Sequence, residues 1–333
     1  MSGPLPVVVG SGNALEAVGV VRRRMLGGAD VLDALADGIA TVEDDPAENT
    51  VGFGGLPNAD GVVELDAAIM DGRTHEAGAV AAMRGVRHAA RVALHVLREP
   101  HWSFLAGEGA RRFALARGFA DEDLLTDASR EAWEQWKTEG GDPDAWLRAE
   151  HWDWAKELGD EPPAGPPRTF GTVHASAVDA SGRCCGCTST SGLSYKPPGR
   201  VGDSPCIGAG LYSSDAGSAG STGRGESTLM ACASFDAVAR MERGEDPSDA
   251  CLAAVERIVR HTTRADLLRP NGRPRFNVTM YAVRADGAFG SAAVYSGHTM
   301  AISDDAGERL VQARGVFERP AAKEILDSPS DPG

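Results

Sequence analysis

The apolar period of this chain changes at Thr172, and the change limits what each part can fold into. Before it, apolar residues recur at helical spacing over residues 14–25, 31–42, 83–97, 108–116 and 128–138, with strands expected at 5–9 and 62–70. From Thr172 the period is two. Residues 172–178 and 183–189 form a hairpin around the turn Asp179-Ala180-Ser181-Gly182. A strand-like run at 206–212 and a Gly/Ser/Thr-rich loop at 216–225 come next. A helix over 227–243, stopped by Gly244, and a second one capped by Ser248 and running to His261 lead to strands at 275–283, 289–295 and 300–303. Strands, two helices, then strands again fit two packed sheets covered by helices better than a doubly wound parallel sheet.

Between the two regimes lies a segment without sustained period. It is rich in proline and holds Trp146, Trp152 and Trp154. Residues 140–171 are read as a long, partly mobile surface linker ending at the Gly171-Thr172 bond. A Gly-Thr bond between a loop and a strand suits a chain that cuts itself. Cleavage would leave Thr172 as an N-terminal residue, its hydroxyl and its own α-amine together forming a nucleophile and base.

Composition sets the bounds around this site. At 333 residues, 42% hydrophobic and 24% charged, the chain is expected to be a soluble globular protein with a core that needs no staples. That length allows one large domain or two. The net charge of -15 argues against nucleic acid or an anionic membrane as a partner. Residues 1–10 have no basic and apolar leader pattern, and no apolar run approaches membrane-spanning length, so a cytoplasmic location is expected. Four lysines against 29 arginines fit a salt-adapted host or a GC-rich genome. Cys184 and Cys187 form a lone C-x-x-C with no second pair and no nearby His at ligand spacing, which reads as small buried strand residues. A Cys/His metal or redox enzyme is the remote alternative. His174 reads as a packed or partly exposed strand histidine, without established ligand geometry to His75, His88 or His95. Trp133, Trp136 and Trp146 read as packing anchors.

Several runs carry a family resemblance. Thr172, Thr188-Ser189-Thr190-Ser191-Gly192, Gly199-Arg200-Val201-Gly202-Asp203-Ser204-Pro205, Gly208-Ala209-Gly210 and Thr222-Gly223-Arg224-Gly225 occur in one order. With Val51-Gly52-Phe53-Gly54-Gly55, the run Leu65 to Gly72, Gly78-Ala79-Val80 and Arg243-Gly244-Glu245-Asp246-Pro247, they resemble the glycosylasparaginase, asparaginase and isoaspartyl-peptidase group of N-terminal nucleophile hydrolases. The resemblance covers nearly the whole chain and implies a single hydrolase domain over 1–333 with an α+β fold, the four-layer αββα sandwich. It implies self-cleavage into an α-chain of residues 1–171 and a β-chain of 172–333, and a homodimer of αβ units. It makes Thr172 the nucleophile and Thr190 its supporting hydroxyl. Arg200 and Asp203 become the pair that holds a substrate's α-carboxylate and α-amine, Thr222 and Gly223 the oxyanion donors, and Gly225 part of the same substrate-binding loop.

That assignment makes chemical sense unaided. An asparagine-like small molecule is a zwitterion at its α-carbon, and one arginine fork with one carboxylate reads both charges. No cofactor and no metal is required. The implied reaction is hydrolysis of the side-chain amide of asparagine, a β-aspartyl peptide or glycosylasparagine, releasing aspartate. The alternative is an unprocessed, non-catalytic relative that binds amino-acid-like ligands.

The sequence also departs from the pattern. Phe170-Gly171 stands where typical glycosylasparaginases have His-Asp, although Gly-Thr is what the plant-type relatives use. His174 replaces a usual Gly and Ser191 a usual Asn. The first strand ends Val9-Gly10-Ser11-Gly12-Asn13, without the tryptophan that lines the glycosylasparagine site. This shifts the expected substrate toward free asparagine, β-aspartyl dipeptides or another small β-aspartyl amide.

Overall fold

The computed structural model describes residues 6–144 and 171–319. Strand β1 (Val7–Ser11) is buried at every position, as an apolar strand covered on both faces must be. Helices α1 (Leu15–Leu26) and α2 (Val31–Glu43) follow, α2 capped by Asp30, which accepts from Leu32 N. Then come β2 (Leu65–Asp71), β3 (Glu76–Met83), α3 (Ala89–Leu97), β4 (Phe104–Ala106), α4 (Gly107–Ala116) and α5 (Asp127–Thr138). Most of the expected 140–171 linker lies outside the described residues, and Trp146, Trp152 and Trp154 lie there with it. Beyond Gly171 the chain forms β5 (Val173–Val178), β6 (Cys184–Thr190), β7 (Leu211–Ser214), β8 (Gly217–Gly223), α6 (Gly225–Ala231), α7 (Ala233–Glu242) and α8 (Pro247–His261). Strands β9 (Val278–Arg284), β10 (Phe289–Tyr295), β11 (Thr299–Asp304), β12 (Gly307–Gln312) and β13 (Arg314–Phe317) complete it.

These strands make two sheets, an eight-stranded one ordered β12-β11-β1-β5-β6-β2-β3-β4 and a five-stranded one ordered β13-β10-β9-β8-β7. In the larger sheet, strands from before and after Gly171 interleave: β1 pairs antiparallel with both β11 and β5, and β2 with β6. A cut at residue 171 would therefore leave both pieces locked in one sheet. Helices α1, α2 and α3 pack on this sheet, while α7 and α8 pack on the smaller one. Strands of the two sheets also meet directly, β5 and β6 lying against β8. No described helix is long and apolar enough to cross a membrane.

Alternation along β5 and β6 decides which side chains meet the site. Val173, Ala175, Ala177, Cys185 and Cys187 enter the core cluster under the helices, whereas Val178 and Cys184 join the cluster shared with β9 and β11. Cys184 and Cys187 thus face opposite sides of the sheet and do not converge on a ligand. Burial raises both thiols, that of Cys184 to about 12.

Several expectations need correction. Residues 217–223 of the run expected as a loop over 216–225 form the interior strand β8, not a loop. Its small residues let the two sheets approach closely, and pairing with β7 and β9 overrides their poor strand propensity. Residues 206–210 are turns, and strand begins at Leu211. The helix expected over 83–97 starts only at Ala89, because Met83 ends strand β3. The helix expected over 227–243 is broken at Cys232, which sits at φ 47°. The break lets the start of α7 bond the preceding loop, Ser234 Oγ donating to Ala209 O at 2.6 Å and Phe235 N to Gly208 O at 2.9 Å. Helix α8 is capped by Asp246, not Ser248, with Pro247 in its first turn.

One buried acid couples this fold to pH. Glu43, at the end of α2, accepts from Ser189 Oγ at 2.6 Å and Ala90 N at 2.9 Å through Oε1, while Oε2 has no partner. Burial raises its carboxyl to about 7, against the pull of those hydrogen bonds. The folded state thus holds a proton that the unfolded chain releases near 4.5. Stability is greatest below that value and is lost as pH rises through 7. Between pH 5.5 and 8.5 the loss from this group is about 2 kcal/mol. Urea unfolding of uncut protein at both pH values should show that extra loss, and Glu43→Gln should remove it. An unchanged pH difference would mean that Glu43 is not protonated in the fold.

Candidate active site

Thr172 ends the loop before β5 and is 9% exposed. Its Oγ1 lies 3.4 Å from Ser204 Oγ. Across the hairpin, Thr190 Oγ1 donates to Gly171 O at 2.8 Å and accepts from Gly192 N at 2.9 Å. The hairpin register sets this up, since β5 and β6 pair Val173 with Ser189. The carbonyl at the Gly171-Thr172 bond is therefore polarised in the uncut chain.

Thr172 opens on a cleft lined by Gly171, Thr190, Gly192, Leu193, Arg200, Gly202, Asp203, Ser204, Gly223 and Gly225. Arg200 and Asp203 lie on the loop between β6 and β7. Asp203 is buried and accepts from Ser221 Oγ at 2.8 Å. Burial raises its carboxyl to about 6, while Ser221 and the Arg200 charge pull it down. Gly225 is required beside it, because a Cβ there would lie 2.6 Å from Asp203 Oδ1. Arg200 donates from Nε and Nη2 to Glu226 Oε1 at 3.0 and 2.5 Å. Burial would raise the Glu226 carboxyl, but Arg200's charge and hydrogen bond hold it below its ordinary value. The loop is anchored by buried Lys196, which donates to Glu64 O at 3.3 Å and lies 3.9 Å from Asp66 Oδ2. Burial drives that pair toward neutrality, raising Asp66 and lowering Lys196.

The asparaginase family model matches residues 11–266, a span that contains every residue of this cleft. The chain belongs to the asparaginase family. It is 37% identical over 285 residues to the N(4)-(β-N-acetylglucosaminyl)-L-asparaginase of Elizabethkingia miricola, covering 85% of this chain and 76% of that protein. The mouse protein of the same name is 35% identical over 305 residues, covering 87% of this chain and 85% of its own. The rat protein is 34% identical with the same coverage. As a member of this family, the chain is a hydrolase of amide bonds.

Six of the seven residues expected at the reaction centre line this one cleft: Thr172, Thr190, Arg200, Asp203, Gly223 and Gly225. The seventh, Thr222, lies one residue before the lining glycine, its hydroxyl 2.9 Å from Tyr281 Oη. The sequence pattern gives no role to Ser204, which lies inside the 199–205 motif, or to Glu226, which directly follows the 222–225 motif. His174 is fully buried, with Nε2 2.9 Å from Ser176 Oγ and the ring stacked on Tyr281. Burial lowers it to about 3, so it is neutral. His75 instead meets Tyr212, His88 meets Asp44 and His95 meets Phe119. Trp133 donates to Ala59 O and Trp136 stacks on Tyr195, as packing anchors do.

Proposed function

We propose that this chain cuts itself between Gly171 and Thr172, and that the freed Thr172 hydrolyses the side-chain amide of asparagine-type compounds to release aspartate. The observation that carries this reading is the convergence of Thr172, Thr190, Arg200 and Asp203 on one cleft. Glu226 takes the Nε side of the Arg200 guanidinium, which leaves Nη1 for a substrate α-carboxylate. Asp203 takes the α-ammonium, three residues away on the same loop. The side-chain amide then lies over Thr172. The Thr172 α-amine, with an ordinary value of about 7.7–8.0, takes the hydroxyl proton. Donors from the Thr222-Gly223 segment hold the oxyanion, a contribution of about 3–4 kcal/mol. Ammonia or an amine leaves, and water frees the aspartyl group.

The architecture we propose is the four-layer αββα sandwich. Helices on one sheet, direct contact between sheets, and helices on the other sheet support it. The relatives are named for a glycan-linked asparagine. Here the strand end carries Ser11, which accepts from His174 N at 3.0 Å. We therefore favour free asparagine or a small β-aspartyl amide over the glycan-linked compound. A homodimer of two-chain units, acting in the cytoplasm on a small molecule, completes the proposal.

The test is the intact mass and N-terminal sequence of purified protein, followed by aspartate release from asparagine, a β-aspartyl dipeptide and glycosylasparagine. Two fragments, one beginning Thr-Val-His-Ala, with release from the smaller substrates are expected. A persistent full-length chain that releases no aspartate overturns the reading.

A further inference from the structure

Gly171 has no side chain, and the space for one is filled. A Cβ built there would lie 1.8 Å from Thr50 Oγ1 and 2.4 Å from Thr50 Cβ. Thr50 is 4% exposed and lies on the loop after α2. Its hydroxyl donates to Glu48 Oε1 at 2.5 Å. Glu48 Oε2 accepts from Asn13 Nδ2 at 3.1 Å, and Asn13 Oδ1 accepts from Ser11 Oγ at 2.6 Å. Ser11 Oγ in turn accepts from His174 N. This chain of bonds starts against the residue before Thr172 and ends two residues after it, so it spans the Gly171-Thr172 bond. A carboxylate brought here from residue 48 stands where the preceding residue, a glycine, can supply none.

We propose that Thr50 and Glu48 form the proton relay for self-cleavage at Gly171-Thr172. The proposal rests on the self-processing reading above. Thr50 touches the residue whose carbonyl is attacked, and Glu48 acts through it. Because Thr50 donates its hydrogen to Glu48, its oxygen is left to accept another. Thr172 Oγ1 attacks the Gly171 carbonyl carbon. Its proton passes to Thr50 Oγ1 while the Thr50 proton passes to Glu48. The Thr190 hydroxyl, already on Gly171 O, holds the negative charge that develops there. The C–N bond to Thr172 then breaks, and the proton returns from Glu48 through Thr50 to the departing nitrogen. The resulting ester joins Gly171 to Thr172 Oγ1. Water hydrolyses it to a Gly171 carboxylate and a restored hydroxyl, so no other reactant is needed.

The experiment is the rate of fragment appearance between pH 5 and 9 in full-length wild type, Glu48→Gln, Glu48→Asp, Thr50→Val and Thr50→Ser. Urea midpoints of the same changes made in uncut Thr172→Ala protein control for folding. Glu48→Gln and Thr50→Val should slow cleavage on the order of 100-fold with unchanged urea midpoints. Glu48→Asp and Thr50→Ser, which keep the carboxylate and hydroxyl, should restore most of the rate. If wild type cuts and either Glu48→Gln or Thr50→Val cuts equally fast, the relay is overturned while self-processing stands. A wild type that never cuts overturns both.

Discussion

A chain carrying Thr172→Ala should remain at full length and lose amide hydrolysis by on the order of 10^4- to 10^6-fold. Two separate losses meet at this residue. Without the hydroxyl nothing attacks the Gly171 carbonyl, even though Thr190 still polarises it. Without cleavage there is no α-amine to act as base, so hydrolysis lacks both nucleophile and proton acceptor. Thr172→Ser keeps the oxygen and the future amine and should still cut. Electrophoresis under denaturing conditions, with aspartate release from asparagine, reads both losses. An alanine variant that is still cut at the same bond would assign the cut to an outside protease. An alanine variant that still releases aspartate would place the nucleophile elsewhere.

The hairpin that presents Thr172 was legible because its signal is local: period-two residues flank a four-residue turn, and β5 and β6 form nearly as spaced. The loop of Arg200 and Asp203 was legible through motif resemblance, and the structure brings both to one cleft. What was not legible depends on contacts distant in sequence. Strand β8 reads as a loop because its Gly and Ser residues are poor strand formers. It becomes a strand because β7 and β9 pair with it and the ring of His174 fills the space beside Gly220. The closeness of Thr50 to Gly171 spans more than a hundred residues, and no local pattern announces it. Glu226 follows a motif glycine directly. Its role appears only when α6 brings it to Arg200.

The acid dependence of catalysis should separate substrate binding from nucleophile activation. In the self-cleaved enzyme proposed above, Asp203 must be ionised to hold an α-ammonium, and burial raises its carboxyl to about 6. The Thr172 amine must be neutral, which requires pH near or above about 7.7. The logarithm of kcat/KM should therefore rise with a slope of about two below pH 6 and about one from there to the amine's value. Bound substrate places a cation against Asp203 and pulls its carboxyl down, so the lower limb should weaken or vanish in kcat. Asp203→Asn can still accept from Ser221, yet it leaves the buried ammonium of the substrate without a counter-charge. That should lower kcat/KM by about 10²- to 10³-fold, mostly through KM, and leave a single limb of slope one. Steady-state kinetics on fully cleaved protein from pH 4.5 to 9 measures all of this. An asparagine variant that kept the steeper limb would show that another group titrates near 6. One that kept wild-type kcat/KM would remove Asp203 from substrate binding, and with it the zwitterion-reading role of the loop it shares with Arg200.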